Sequence, residues 1–125
     1  MAKILIIEDS SEVQECLSWT ARKLGHEVTE ADTGDQGLEL AKGQDFDLIV
    51  SDLHMPGKIE GVALIAKLRS SRPKTPVIVV SGYPSESLDE CYALGVKDFL
   101  VKPFELSFLS DVIERVLEQK GVGMA

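Results

Sequence analysis

Short unbroken apolar runs alternate along this chain with longer stretches in which apolar residues recur at helical spacing. Residues 4–7, 48–50 and 77–80 are continuous runs of Leu and β-branched residues, the pattern of central parallel strands covered by helices on both faces. Glu27-Val28-Thr29-Glu30-Ala31 alternates polar with apolar, and Phe99-Leu100-Val101 is short, so both suit the edges of a sheet. Five strands are predicted.

Between the strands, Val13, Cys16, Leu17, Thr20 and Leu24 share one helical face, and Ser11 with Gln14 has the spacing of a capping box. Thr33 and Gln36 repeat that spacing before a second helix ending near Gly43. A third helix is predicted over 62–70, between Gly61 and the Ser71-Arg72-Pro73 breaker. Pro84 opens a fourth, with Leu88, Cys91 and Tyr92 on its inner side and Gly95 as its stop. A fifth begins near Glu105 and carries Leu106, Leu109, Ile113, Val116 and Leu117. Five strand–helix units of this length predict an α/β, doubly wound (βα)5 fold with a parallel sheet of order 2-1-3-4-5. One domain is expected over 1–120, with 121–125 as a flexible tail.

Composition changes this picture little and charge narrows it. At 125 residues the chain is long enough for one core, and 44% hydrophobic with 27% charged residues is ordinary globular composition. Thirteen Lys and Arg against 21 Asp and Glu give a net charge of −8, the wrong sign for direct nucleic-acid binding. No stretch is long enough to insert in a membrane, and the apolar run after Lys3 is closed by Glu8 and Asp9 before it reaches secretory length. Cys16 and Cys91 are far apart and are read as reduced thiols on buried helix faces, so a cytoplasmic location is expected.

In such a sheet the site lies beyond the carboxyl ends of the strands, at the switch point between strands 1 and 3. Strand 1 ends in Glu8-Asp9 and strand 3 in Asp52, which brings three carboxylates to one crevice. At ~4 Å and an effective dielectric near ~20, each pair repels by about 4 kcal/mol, so the cluster calls for a divalent cation, a shared proton or a cationic side chain. An all-oxygen set favours Mg²⁺, which leaves positions open for phosphate oxygens. Strand 4 ends in Ser81, a hydroxyl donor, and strand 5 in Lys102, a point positive charge on a flexible stem. Any one of these is an ordinary strand-end residue. Together they supply nucleophile, metal ligands and charge clamp for phosphoryl transfer.

The residues Glu8-Asp9, Asp52-Leu53-His54-Met55-Pro56-Gly57, Ser81-Gly82 and Asp98-Phe99-Leu100-Val101-Lys102-Pro103-Phe104 make the sequence resemble the response-regulator receiver family, from Lys3 to about Lys120. The resemblance implies a flavodoxin-like fold with Asp52 as phosphoacceptor. It also implies that Asp9 and Asp52 ligate Mg²⁺ directly, with Mn²⁺ as a substitute, that Glu8 holds the ion through water, and that the backbone carbonyl of His54 is a further ligand. Lys102 would pair with the bound phosphoryl, Ser81 would hydrogen-bond it, Phe99 would be the switch aromatic, and the Lys102-Pro103 bond would be cis. The implied donor is a phosphohistidine of a histidine kinase or histidine phosphotransfer protein. The implied output is a downstream effector protein, or a second copy of this chain, reading the face of helix 4, strand 5 and helix 5. A receiver of this kind is a phosphoacceptor switch that assists its own phosphorylation and dephosphorylation, and is not a turnover enzyme.

Met55-Pro56-Gly57-Lys58-Ile59-Glu60-Gly61 is one residue longer than the family's usual loop, and Gly82 stands where Ala is common. Tyr83 is placed to gate the pocket entrance, His26 reads as surface, and Trp19 reads as a helix-flank or partner contact. A flavodoxin-type redox protein would need a Ser/Thr/Gly-rich phosphate loop where Glu8-Asp9 stands. A phosphatase with an aspartate nucleophile would carry Asp-x-Asp there. The remaining alternatives are a receiver-like interaction module that works without phosphorylation and a receiver cut from a longer hybrid kinase or transcription regulator.

Overall fold

A computed structural model describes residues 1–53, 61–82 and 84–121, the side chains of 84–86 apart. Among the described residues strands and helices alternate: β1 (Lys3–Ile7), α1 (Ser11–Lys23), β2 (Glu27–Ala31), α2 (Gly34–Gly43), β3 (Leu48–Asp52), α3 (Gly61–Ser71), β4 (Val77–Ser81), α4 (Pro84–Ala93), β5 (Asp98–Val101) and α5 (Leu106–Lys120). The five strands pair in parallel in the order β2-β1-β3-β4-β5. The predicted flavodoxin-like order is therefore the observed one. β3 and β4 are buried at every position, as unbroken apolar runs demand, whereas β2 on the edge is buried only at Ala31.

Because successive strand residues face opposite ways, β1 sends Ile4 and Ile6 into one core and Leu5 and Ile7 into another. The first core is closed by Leu17 and Ala21 of α1 with Leu109, Ile113 and Val116 of α5. The second is closed by Leu38 of α2, Leu64 and Leu68 of α3 and Cys91 of α4. Each fully buried aliphatic side chain contributes roughly 1.5–3 kcal/mol, so these two layers rather than helix propensity hold the short helices in place. Gly37 lets α2 approach β1 closely, since a Cβ there would lie 2.6 Å from Ile7 Cγ1.

Several local expectations are corrected. α1 is capped by Ser10, whose side chain accepts from Val13 N, and not by Ser11. The second cap stands as predicted, with Thr33 Oγ1 accepting from Gln36 N at 3.1 Å. Cys16 is exposed while Cys91 is buried, because α1 turns Leu17, Thr20 and Ala21 to the sheet and the stripe does not extend to Cys16. On α4 only Cys91 of the predicted trio is buried, and Leu88 and Tyr92 face solvent. Leu106, the first residue of α5, is exposed as well. His26 is half-buried and accepts the Ala2 N–H at Nδ1, 3.0 Å away, so it is part of the β1 entry and not plain surface. Trp19 is half-exposed with Lys23 Nζ 4.8 Å above its ring. Gly121 ends α5 in the left-handed conformation, and 122–125 lie outside the described residues, as do the 54–60 loop and Tyr83.

Candidate phosphoacceptor pocket

The chain turns outward in opposite directions from β1 and β3, and the crevice this leaves is where the acidic residues stand. Glu8 follows β1 directly and is held in strand-like register by its N–H to Ala31 O at 3.0 Å. Asp52 is the last residue of β3, beside Val80 of β4. Glu8 is 0% and Asp52 4% exposed, while Asp9 is exposed at the mouth. Ligand oxygens of Glu8, Asp9 and Asp52 all lie within 4.8 Å of one another.

The positive charge comes from the far side of the sheet. Lys102 follows β5 and donates from Nζ to Glu8 Oε1 and Asp52 Oδ2, both at 3.0 Å. Its backbone N–H bonds Ser81 O at 2.8 Å, and its bond to Pro103 is cis, as the resemblance implied. Of the three answers open to the clustered carboxylates, this structure contains the cationic side chain. Burial by itself would lower the Lys102 pKa, but the hydrogen bonds and charges of Glu8 and Asp52 outweigh it and hold the ammonium above its ordinary value. Glu8 is pushed up to about 7 by burial, against the opposing hydrogen bonds from Ser10 N–H and Lys102. Asp52 Oδ1 accepts the N–H of Leu53 at 2.6 Å, which fixes the carboxylate's rotation.

The donor set fits a hard divalent cation. Three carboxylates converge, no His or Cys competes among the described residues of the cluster, and Asp9 keeps one side open to solvent for water or phosphate oxygens. Ser81 is fully buried at the end of β4, and Phe99 is 8% exposed and packed in the core beneath α3 and α4. The structure thus brings Glu8, Asp9, Asp52 and Lys102 into one pocket, with Ser81 at the adjacent strand end. His54, assigned a backbone-carbonyl role by resemblance, lies outside the described residues. Residue reading missed the two groups that hold the β1–α1 turn, the Ser10 N–H on Glu8 Oε2 and the Gln14 side chain on Glu8 O, 2.9 Å away. No sequence signal marks either, since one is a backbone group and the other a polar residue that reads as a cap.

With this geometry established, known proteins give a consistent likeness. A family model described as response regulator receiver domain matches residues 4–114. The response regulator protein FleR of Pseudomonas aeruginosa is 35% identical over 115 residues, 91% of this chain, which spans only 24% of FleR's length. Among solved structures, a CheY-like response regulator receiver domain protein from Methanospirillum hungatei superposes with a TM-score of 0.90 at 26% identity, covering 97% of each chain. Chemotaxis protein CheY4 of Vibrio cholerae gives a TM-score of 0.83 at 32% identity, covering 93% of this chain and 98% of CheY4. With matching sequence, matching topology and an acidic pocket at the switch point, the chain belongs to the response regulator receiver domain family.

Proposed function

We propose that this receiver accepts a phosphoryl group from a phosphohistidine onto Asp52. The donor is a histidine kinase or a histidine phosphotransfer protein. The observation that carries the reading is the Lys102 ammonium held 3.0 Å from both Glu8 and Asp52 at the mouth of the β1/β3 crevice. An Asp52 carboxylate oxygen forms a bond to phosphorus as the phosphorus–imidazole bond breaks, and the imidazole leaves with the electron pair. Water later attacks the acyl phosphate and returns free phosphate and the carboxylate. Lys102 offsets charge on the transferring oxygens, and its flexible stem lets it leave Glu8 for the phosphoryl. Asp9 and Asp52 would hold Mg²⁺ directly and Glu8 through water, with the His54 backbone carbonyl as a further ligand. When bound, Mg²⁺ (or Mn²⁺) neutralises charge on the phosphoryl oxygens. The domain works as a switch and not as a turnover enzyme.

The switch runs from Ser81 to Phe99. Ser81 turns toward the phosphoryl and Phe99 repacks in the space released, which changes the surface made by α4, β5 and α5. Leu88, Tyr92, Val101 and Phe108 are exposed large apolar residues on these three elements, suited to an effector protein or a second copy. The net charge of −8 supports a protein output over direct nucleic-acid contact. Residues 1–120 form the receiver unit and 121–125 a tail. No helix among the described residues is long and apolar enough to cross a membrane, and a cytoplasmic location fits the two free thiols.

The test is intact mass after incubation with a small acyl-phosphate donor, with and without Mg²⁺, for the wild type and Asp52→Asn. A Mg²⁺-dependent gain of one phosphate that Asp52→Asn lacks is the expected result. A folded wild type that gains none, from that donor or from phosphohistidine proteins, would make the chain an interaction module independent of phosphorylation.

A further inference from the structure

Gln14 lies four residues into α1 from its cap, yet its side chain turns back over the ends of β1 and β2. Nε2 donates to Glu8 O at 2.9 Å and to Asp32 Oδ1 at 2.9 Å, with a longer 3.3 Å contact to Ala31 O. A side-chain amide has two donor hydrogens, so the two short bonds use them and the third contact is a shared one. Asp32 is gripped from its other side too, since its N–H donates to Gln36 Oε1 at 2.8 Å, and Gln36 N is itself bound by Thr33. The β1–β2 ladder ends at Ile7 and Ala31 and the β1–β3 ladder at Ile7 and Ser51. Glu8 is therefore the first residue past the ladders, and Gln14 supplies a donor to its carbonyl.

We propose that Gln14 is a positioning residue for the acidic pocket, holding the backbone at Glu8 so that the Glu8 and Asp9 carboxylates stay converged with Asp52 for a divalent cation. The inference rests on the metal-dependent reading above and adds to it a residue outside the pocket. Its physical basis is repulsion. Three carboxylates whose oxygens lie within 4.8 Å push the β1–α1 turn away from β3 whenever the ion is absent. The Lys102 ammonium opposes that push from the side-chain end and Gln14 opposes it from the backbone end. A turn held in place binds the ion without a cost for reordering its ligands, which is how groups outside the coordination sphere tune a site.

The experiment follows backbone amide shifts during Mg²⁺ titration of the wild type, Gln14→Met, Gln14→Asn and Thr20→Val, together with the melting temperature and the phosphorylation rate at saturating Mg²⁺. Gln14→Met keeps the side chain's length without its donors, and Gln14→Asn keeps the donors but shortens their reach. Thr20→Val removes another hydrogen bond of α1, from Thr20 Oγ1 to Cys16 O, on a residue with no bond to the pocket. Gln14→Met is expected to raise the Mg²⁺ dissociation constant about tenfold and Gln14→Asn by less, with the rate recovering at saturating Mg²⁺. Thr20→Val should leave the constant unchanged whatever its melting temperature. Unchanged binding in both Gln14 variants, or an equal loss in Thr20→Val, overturns the role. A wild type that binds no Mg²⁺ overturns the metal-dependent reading and this inference with it, which sets that failure apart from a failure of the variants alone.

Discussion

Lys102 Nζ lies 3.0 Å from Asp52 Oδ2, joining the end of β5 to the end of β3 across the intervening strand β4. The same ammonium reaches Glu8, so a single cation answers two buried carboxylates. Replacing Lys102 with Met leaves both without that partner. Breaking a buried ion pair by removing one member typically costs about 3–5 kcal/mol. Lys102 is partly exposed and Glu8 can take up a proton, so the expected loss for Lys102→Met in chelator is smaller, about 2 kcal/mol. Added Mg²⁺ should recover part of it by supplying the missing positive charge, and urea denaturation with EDTA or with Mg²⁺ measures both.

Glu8 gives the metal-free protein a pH dependence of defined sign. Its pKa rises on folding to about 7 from an ordinary value of 4.5, so between these values the folded state binds more protons than the unfolded. The stability this contributes is complete below the unfolded value and is lost as pH rises through about 7. Glu8→Gln should remove that decline, leaving the variant more stable than the wild type above neutrality in chelator. The check is a series of denaturation curves at spaced pH values, and an unchanged slope would show that Glu8 is already ionised in the folded protein.

His26 acts in the opposite direction. Burial, assisted by the positive amino terminus, lowers its pKa below 6.5 despite Glu114 and Asp47 nearby, and Nδ1 must be unprotonated to accept the Ala2 N–H. A group whose pKa falls on folding contributes stability that is present above its unfolded value and is lost as pH falls through the folded one. Wild-type stability should therefore carry an acid-side loss below 6.5 that His26→Leu lacks. Comparing the two proteins over the same pH series isolates it from the Glu8 effect.

Gly37→Ala tests the close approach of α2 to β1. The added methyl would meet Ile7 Cγ1 at 2.6 Å and Ile7 Cδ1 closer still. Overpacking of this kind costs about 1–3 kcal/mol, offset in part by the better helix propensity of Ala, worth about 0.5–1 kcal/mol. A net loss of roughly 1 kcal/mol is expected. Ile7→Val, which deletes the δ-carbon, should make the two changes less costly together than the sum of each alone, as a double-mutant cycle reads directly.

The strands, their order and the convergence of Glu8, Asp9, Asp52 and Lys102 were legible in the sequence, because parallel strands buried on both faces write continuous apolar runs and the residue after each run is carried to the same edge of the sheet. Helix faces were less legible. Cys16, Leu88, Tyr92 and Leu106 have the right spacing and chemistry for a core, but whether an apolar residue on a helix is covered depends on how far the neighbouring sheet and helices extend, and that is set by packing across the whole fold. Caps and polar partners were decided later still. Ser10 and Ser11 are both good caps, and only the direction in which the chain leaves β1 selects Ser10. Gln14 has no fixed partner in sequence, because its long side chain finds Glu8 O and Asp32 only after β1 and β2 have paired. Local pattern thus determined which elements form and which chemistry reaches the crevice, while the hydrogen bonds that hold those carboxylates in place belong to the tertiary structure, since their partners lie in different elements and meet only on folding.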